Sequence, residues 1–147
     1  MSSTTFLLIL FINSICQTTS THSCDSGSSI DIQSAAYTHA FILRIQTLNS
    51  SEEIENDLIT QNVLVREVIK MPKTSHHPIQ TDDVILIRID QDLDESCWQL
   101  LRIENLDLIL FLNYTNSQEF DLEFPPIEST FRNRQNIDAV INAGKYP

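Results

Sequence analysis

Alternation of apolar and polar residues is the feature of this sequence that most restricts its fold. In EFDLEFP, residues 119–125, phenylalanine and leucine alternate with acidic residues, and in LDLILFLN, residues 106–113, leucine occupies every second position. A period of two is typical of a β-strand with one buried face. Proline cannot donate a hydrogen bond to a neighbouring strand, so Pro125 and Pro126 end the first of these two segments.

Three further segments have strand character. Residues 41–46 alternate in the same way, LITQNVLVREVIK covers residues 58–70, and VILIRID, residues 84–90, is rich in the β-branched residues that favour strands. The apolar faces of the five predicted strands consist of Phe41, Leu43, Ile45, Val63, Val65, Ile69, Leu106, Leu108, Leu110, Leu112, Phe120, Leu122 and Phe124.

Two segments of different character predict helices. Residues 30–36 indicate a short helix before the first strand. The segment STFRNRQNIDAVINAG, residues 129–144, predicts a longer one, with Ser129 or Thr130 as the N-cap and Gly144 near the C-cap. The apolar stripe of this second helix consists of Ile137, Val140 and Ile141.

The order of these elements predicts the fold class. The five strands are not separated by regular helices, which favours an antiparallel sheet. Closing such a sheet into a small barrel removes its exposed edges. We therefore predict a mainly β fold, a small five-stranded antiparallel barrel with a C-terminal α-helix and a short N-terminal helix. A chain of 147 residues provides one such domain.

Charge and glycine content exclude several function classes. The formal net charge is −11, and a phosphate backbone would repel so acidic a chain, so nucleic-acid binding is not expected. Anionic membrane surfaces are disfavoured for the same reason. Only two glycines occur, which excludes a glycine-rich phosphate loop.

The first twenty residues predict a secretory signal peptide. An apolar run extends from Phe6 to Ile12, and no charged side chain precedes Asp25. The run is too short to span a bilayer and matches the apolar core of a signal peptide. We expect segment 1–20 to be removed, with cleavage after Cys16 or after Ser20, and we expect a secreted protein without membrane insertion after removal.

Loss of the signal leaves two cysteines, Cys24 and Cys97, and an even number in an oxidising compartment suggests a disulfide. It would close a loop of roughly 70 residues and stabilise the fold by about 4 kcal/mol. Asn49 and Asn113 begin the sequons Asn-Ser-Ser and Asn-Tyr-Thr, so N-glycosylation is expected at both.

The remaining polar clusters do not favour a catalytic or metal site. The acidic run DQDLDES, residues 90–96, has Glu95 and Leu101 where a calcium loop needs glycine and a bidentate glutamate. His76 and His77 lack a third ligand, and the chain has no G-x-S-x-G elbow. We therefore expect no metal, no cofactor and no enzyme activity.

The order of these features resembles a known family. In order along the chain come a signal, an early cysteine and three strands, the second of which ends at Lys70. These are followed by Cys97, a short gap, LDLILFLN, FPPIEST and a final helix. Residues 24–143 resemble the N-terminal agrin (NtA) domain, within the netrin-module and TIMP-like group of OB-fold barrels, and residues 144–147 form a tail. The amino-terminal region of some neuregulins is similar.

The resemblance implies a binding function. In such domains the early cysteine pairs with the one before the fourth strand, here Cys24 with Cys97. The agrin domain binds the laminin coiled coil of basement membrane, which supports receptor clustering, through apolar residues of its C-terminal helix. Ile141 keeps one such position, whereas Arg134 stands where the family has leucine. The expected partner is thus a laminin-like matrix protein. The residues expected to contact it are Arg132, Arg134, Asp138 and Ile141.

An alternative within the same group is a TIMP-like metalloprotease inhibitor or another netrin-like secreted ligand module. Such inhibitors insert a mature N-terminal cysteine, part of a Cys-x-Cys motif, into the protease site. Here the sequence reads CDS from Cys24, so the second cysteine is absent. Sequencing of the mature N-terminus distinguishes the two because an inhibitor requires Cys24 as its first residue.

Overall fold

The computed structural model describes residues 29–49, 53–55, 58–73, 78–89, 93–116 and 119–144. Several predictions concern residues outside these ranges, namely the signal peptide 1–20, Cys24, His76, His77, Asp90, Asp92 and residues 145–147.

Seven strands and three α-helices make up the regular structure of the described residues. The strands are β1 (Phe41–Thr47), β2 (Glu53–Glu55), β3 (Leu58–Lys70), β4 (Val84–Ile89), β5 (Asp107–Asn116), β6 (Glu119–Leu122) and β7 (Ile127–Glu128). The helices are α1 (Ser29–Thr38), α2 (Glu95–Trp98), which continues into a 3₁₀ turn (Gln99–Arg102), and α3 (Phe131–Ala143).

Five of these strands close into a barrel. They are hydrogen-bonded in the order β1, β3, β4, β6, β5, and β5 pairs again with β1. The β4–β6 pairing is parallel and the others are antiparallel. The short strands β2 and β7 add to β3 and β5. The predicted OB-like barrel, with a C-terminal helix and a short helix on the N-terminal side, is confirmed.

The barrel interior is filled by the alternating apolar residues of its strands, as predicted. Leu106 packs at its margin, only partly buried. The predicted residues that are buried in this interior cluster are Phe41, Leu43, Ile45, Val63, Val65, Leu108, Leu110, Leu112, Phe120 and Leu122.

Two residues predicted for this face lie outside the barrel instead. The register of β3 against β1 shifts twice, and such a bulge offsets the alternation of side chains, so Val68 packs against the interior and Ile69 against the helices. Strand β6 ends at Leu122, so its alternation does not extend to Phe124. Phe124 lies on the outer face of the barrel, where it packs edge-to-face on Phe111 with 5.0 Å between ring centroids. The predictions for Ile69 and Phe124 are therefore wrong.

The segment from α2 to β5 closes one end of the barrel. Trp98 and Leu101 are buried in the interior cluster. The buried Gln61 side chain donates to the carbonyl of Leu101, and the buried Thr47 hydroxyl donates to the carbonyl of Ile103. This position explains the cysteine that precedes the only tryptophan, because Cys97 in α2 is disulfide-bonded where the chain covers the barrel end.

Helices α1 and α3 form a second layer on the outer face of β1 and β5. Ile42, Ile109 and Phe111 point out of the barrel into this layer. Ile32 of α1 and Ile137 of α3 meet them, and both are buried.

Both ends of α3 match the sequence expectation. Thr130 is the N-cap, since its hydroxyl accepts a hydrogen bond from the Asn133 amide at 3.1 Å, and Gly144 is the C-cap. The short helix predicted at 30–36 is the observed α1. None of the described helices is long and apolar enough to cross a membrane.

Candidate partner-binding face

Two of the four residues predicted to contact a partner are engaged within the protein. The guanidinium of Arg134 donates to both carboxylate oxygens of Glu67 on β3, with Nη1–Oε1 and Nη2–Oε2 distances of 2.8 Å. Its Nε donates to Asp138 Oδ1 at 3.0 Å, one turn along α3. Arg134 and Asp138 therefore fasten α3 to the barrel.

The electrostatics of this cluster agree with its geometry. The hydrogen bond from Arg134 lowers the pKa of Glu67, and burial opposes this shift. The pKa of Arg134 is raised, chiefly by its hydrogen bond to Glu67. Arg44 extends the cluster, because it lies 3.8 Å from Glu67 and pairs with Asp107 at 3.0 Å.

The other two predicted contact residues lie apart from each other on α3. Arg132 is exposed in the first turn, whereas Ile141 is half-buried near the C-terminus and packs partly on the helix layer. They are nine positions apart, which is about 14 Å along a helix. The structure thus does not bring the four predicted residues together as one site.

A cleft of about 840 Å³ lies between the C-terminal ends of α1 and α3. Its walls include Ala36 and Tyr37 of α1, and Lys70 and Lys73 at the end of β3. The wall from α3 consists of Ala139, Val140, Ile141, Ala143 and Gly144. Ile141 is therefore the one predicted contact residue that borders this cleft.

Lys70 fixes the end of α1 at this cleft. Its ammonium donates to the carbonyl oxygens of Ala36 at 2.9 Å, His39 at 2.7 Å and Tyr37 at 3.3 Å. A cation at a helix C-terminus satisfies carbonyls that lack partners within the helix. Burial lowers the pKa of Lys70. The adjacent Tyr37 side chain stays open to solvent, with 79% of the residue exposed.

Tyr37, Lys70 and Lys73 were not predicted as site residues. The basic end of β3 is visible in the sequence, and Tyr37 is the aromatic residue of α1. These three residues lie close together because of the way α1 packs against α3. The periodicity of apolar residues in the sequence does not predict that packing.

The two sequons differ in their surroundings. Asn49 is exposed just after β1. Asn113 is half-buried within β5, and its Oδ1 accepts a hydrogen bond from the Ala40 amide at 3.2 Å. Glycosylation at either asparagine stays a prediction.

The remaining site predictions concern metals and the disulfide. No group of three or more His, Cys, Asp or Glu side chains able to hold a metal occurs in the part of the chain that the structure describes. Cys97 is disulfide-bonded, and since both other cysteines lie outside the described residues, its pairing with Cys24 stays a prediction.

Comparison with known proteins adds no relative. No protein-family model matches the chain, and no curated protein matches it either. The fold itself defines the class, a five-stranded OB-like barrel carrying a two-helix layer on one outer face.

Proposed function

We propose that this protein is a secreted extracellular-matrix binding module that attaches to a laminin-like coiled coil. The contact surface comprises the exposed side of α3 and the cleft between α1 and α3. The function is binding, with no catalytic step and no cofactor. Support of receptor clustering would follow from such attachment.

The observation that carries the proposal is the open cleft between the two helices. A groove between helices with an apolar floor is a common receptor for a third helix, and a coiled coil presents helices on its surface. Val140 and Ile141 provide apolar walls, and the exposed Tyr37 ring stands at the rim. Exposed aromatic residues beside apolar pockets are frequent anchors of protein interfaces.

The ion pairs of α3 bear on which side chains were predicted to contact the partner. Arg134 is bound to Glu67 and Asp138, so these residues position the helix, and their contact with a partner stays a prediction. Ile141 and the exposed Arg132 stay in the proposed contact surface. An arginine in place of the family's leucine is thus compatible with binding through the neighbouring cleft.

Biosensor binding of the secreted, oxidised protein to purified laminin tests the proposal. The blocking variant is Ala139→Arg, because Ala139 is exposed and borders the cleft, so a long side chain fills the groove without disturbing the core. The matched control is Gln99→Arg, which adds the same charge at an exposed position beside the barrel end.

Saturable binding by the wild type and by Gln99→Arg, with at least a tenfold loss in Ala139→Arg, is expected. Ile141→Asp is a second blocking variant, and its thermal unfolding must be compared with wild type because Ile141 packs partly on the helix layer. Absence of binding at micromolar laminin, or equal binding by Ala139→Arg, contradicts the proposal and limits the agrin resemblance to the fold.

A further inference from the structure

The cations of this acidic protein are unevenly distributed. Among the described residues, every arginine except Arg132 forms an ion pair with a carboxylate. Lys70, Lys73 and Arg132 form no described ion pair, and all three belong to the helix layer and its cleft. The cations that no carboxylate neutralises are therefore gathered on the face proposed to bind a partner.

The described acidic residues of the helix layer, Asp31 on α1 and Asp138 on α3, lie outside the cleft walls. The described residues that line the cleft include two lysines and no aspartate or glutamate. Along α3, the exposed stripe is formed by Arg132, Gln135, Ala139 and Asn142, with spacings of three and four residues that place them on one side of the helix. The stripe is about 15 Å long and carries one charge, that of Arg132.

Local charge decides binding on such a surface despite the net charge of −11. The Debye length at physiological ionic strength is about 8 Å, so distant carboxylates on the barrel are largely screened. A ligand in the cleft is closest to the Lys70 and Lys73 ammonium groups. The Lys70 ammonium already donates to carbonyl oxygens at the end of α1, so it acts on a ligand only through its positive charge. Lys73 is exposed, and its ammonium can pair directly with a carboxylate of the ligand.

We propose that the cleft between α1 and α3 receives an acidic amphipathic helix of the partner protein, with its apolar side on Val140, Ile141 and Tyr37 and its carboxylates toward Lys73 and Arg132. This inference rests on the proposed function and specifies the chemistry of the partner's binding segment. Alanines at positions 139 and 143, both exposed, allow the incoming backbone to approach closely.

Two synthetic peptides of about 20 residues provide the probes. Both carry leucine at positions i, i+3, i+4 and i+7, and they are matched in helicity. One has glutamate and the other lysine on both flanks of the apolar stripe. Fluorescence anisotropy at physiological salt is expected to give roughly tenfold tighter binding of the glutamate peptide. Tighter or equal binding of the lysine peptide would mean that the global negative charge selects the ligand, and it overturns the inference.

Paired variants locate the charge effect. Lys73→Gln and Arg66→Gln each remove one exposed cation, and Arg66 lies on β3 beside Asp82, outside the cleft walls. Lys73→Gln is expected to weaken binding of the glutamate peptide about two- to fivefold, and Arg66→Gln to leave it unchanged. Equal effects of the two variants on peptide binding contradict the inference. Self-association of the protein through the same face without peptide, measured by sedimentation velocity, also contradicts it.

Competition separates this inference from the proposed function. If laminin binds and Ala139→Arg abolishes that binding, but the glutamate peptide does not compete, laminin remains the proposed partner and the proposal of an acidic binding helix is wrong. If the glutamate peptide binds in the cleft and laminin does not bind, the proposal of an acidic binding helix remains and the proposal of laminin as the partner is wrong.

Discussion

The two hydrophobic clusters of this protein lie on opposite faces of the same strands, yet they are closed to different degrees. The barrel interior is covered at its end by Trp98 and Leu101, and buried polar groups of Thr47 and Gln61 hold that cover in place. The helix layer buries Ile137 completely but leaves Ile141 half-buried at an open cleft. Closure of the barrel stabilises the fold, and the incompletely covered layer is the surface to which we propose that a partner binds.

The largest expected effect is in the barrel. Phe41 is fully buried and meets Phe120 with 5.1 Å between ring centroids, so Phe41→Ala leaves a cavity. We expect the free energy of unfolding to fall by about 3–5 kcal/mol, as measured by urea denaturation. Tyr37→Ala, which removes an exposed ring at the cleft, should change it by less than about 0.5 kcal/mol. Similar losses in both variants would contradict the contrast between the two regions.

The cover of the barrel end is tested by Thr47→Val, which keeps the shape of the side chain. The substitution removes the acceptor of the Leu106 amide, at 2.7 Å, and the donor to the Ile103 carbonyl. Loss of these two part-buried hydrogen bonds should together cost about 1–3 kcal/mol. Thr81→Val, at an exposed turn position before β4, serves as the control and should be nearly neutral. If Thr47→Val leaves the free energy of unfolding unchanged, the cover of the barrel end does not depend on the hydrogen bonds of this hydroxyl.

The open end of the helix layer is tested by Lys70→Met, which keeps the aliphatic stem. Loss of the hydrogen bonds to Ala36 and His39 should lower the free energy of unfolding by about 1 kcal/mol and speed hydrogen exchange in the last turn of α1. Lys73→Met, which removes a cation that bonds to no described carbonyl, should leave that exchange unchanged. Unaltered exchange in Lys70→Met would contradict the capping role.

The smallest effect concerns the attachment of α3 to the barrel. Arg134→Met should cost about 0.5–1 kcal/mol at pH 7, because the pair is partly exposed. The pKa of Glu67 is lowered in the folded state from an ordinary value of 4.5, so the stabilisation is complete above pH 4.5 and is lost as the pH falls through the folded-state pKa. The difference from wild type should therefore shrink in acid. Arg132→Met should show no pH-dependent difference, and such a difference in that variant would contradict the assignment.

Much of the fold could be predicted because alternation reports burial directly. The five barrel strands and both terminal helices follow from period and capping residues, as Thr130 and Gly144 illustrate. The short strands β2 and β7 and the helix α2 were not predicted. Ile69 and Phe124 were assigned to the wrong face because a bulge and a strand end change the alternation without a residue signal.

The candidate binding face was less predictable from the sequence. Arg134 and Glu67 are separated by 67 positions, and their pairing depends on where α3 crosses the barrel. Arg132 and Arg134 look alike in the sequence, yet one is exposed and the other is bound to two carboxylates. Tyr37 and Lys73 share a cleft only because α1 and α3 converge at their C-terminal ends.

Hydrogen–deuterium exchange of the oxidised protein with and without purified laminin distinguishes the helix layer from the barrel cover as the contact surface. We expect slower exchange on binding in α3 and in the last turn of α1, with no change in α2 and the 3₁₀ turn that cover the barrel. Protection confined to the barrel cover, with α1 and α3 unchanged, would contradict this expectation.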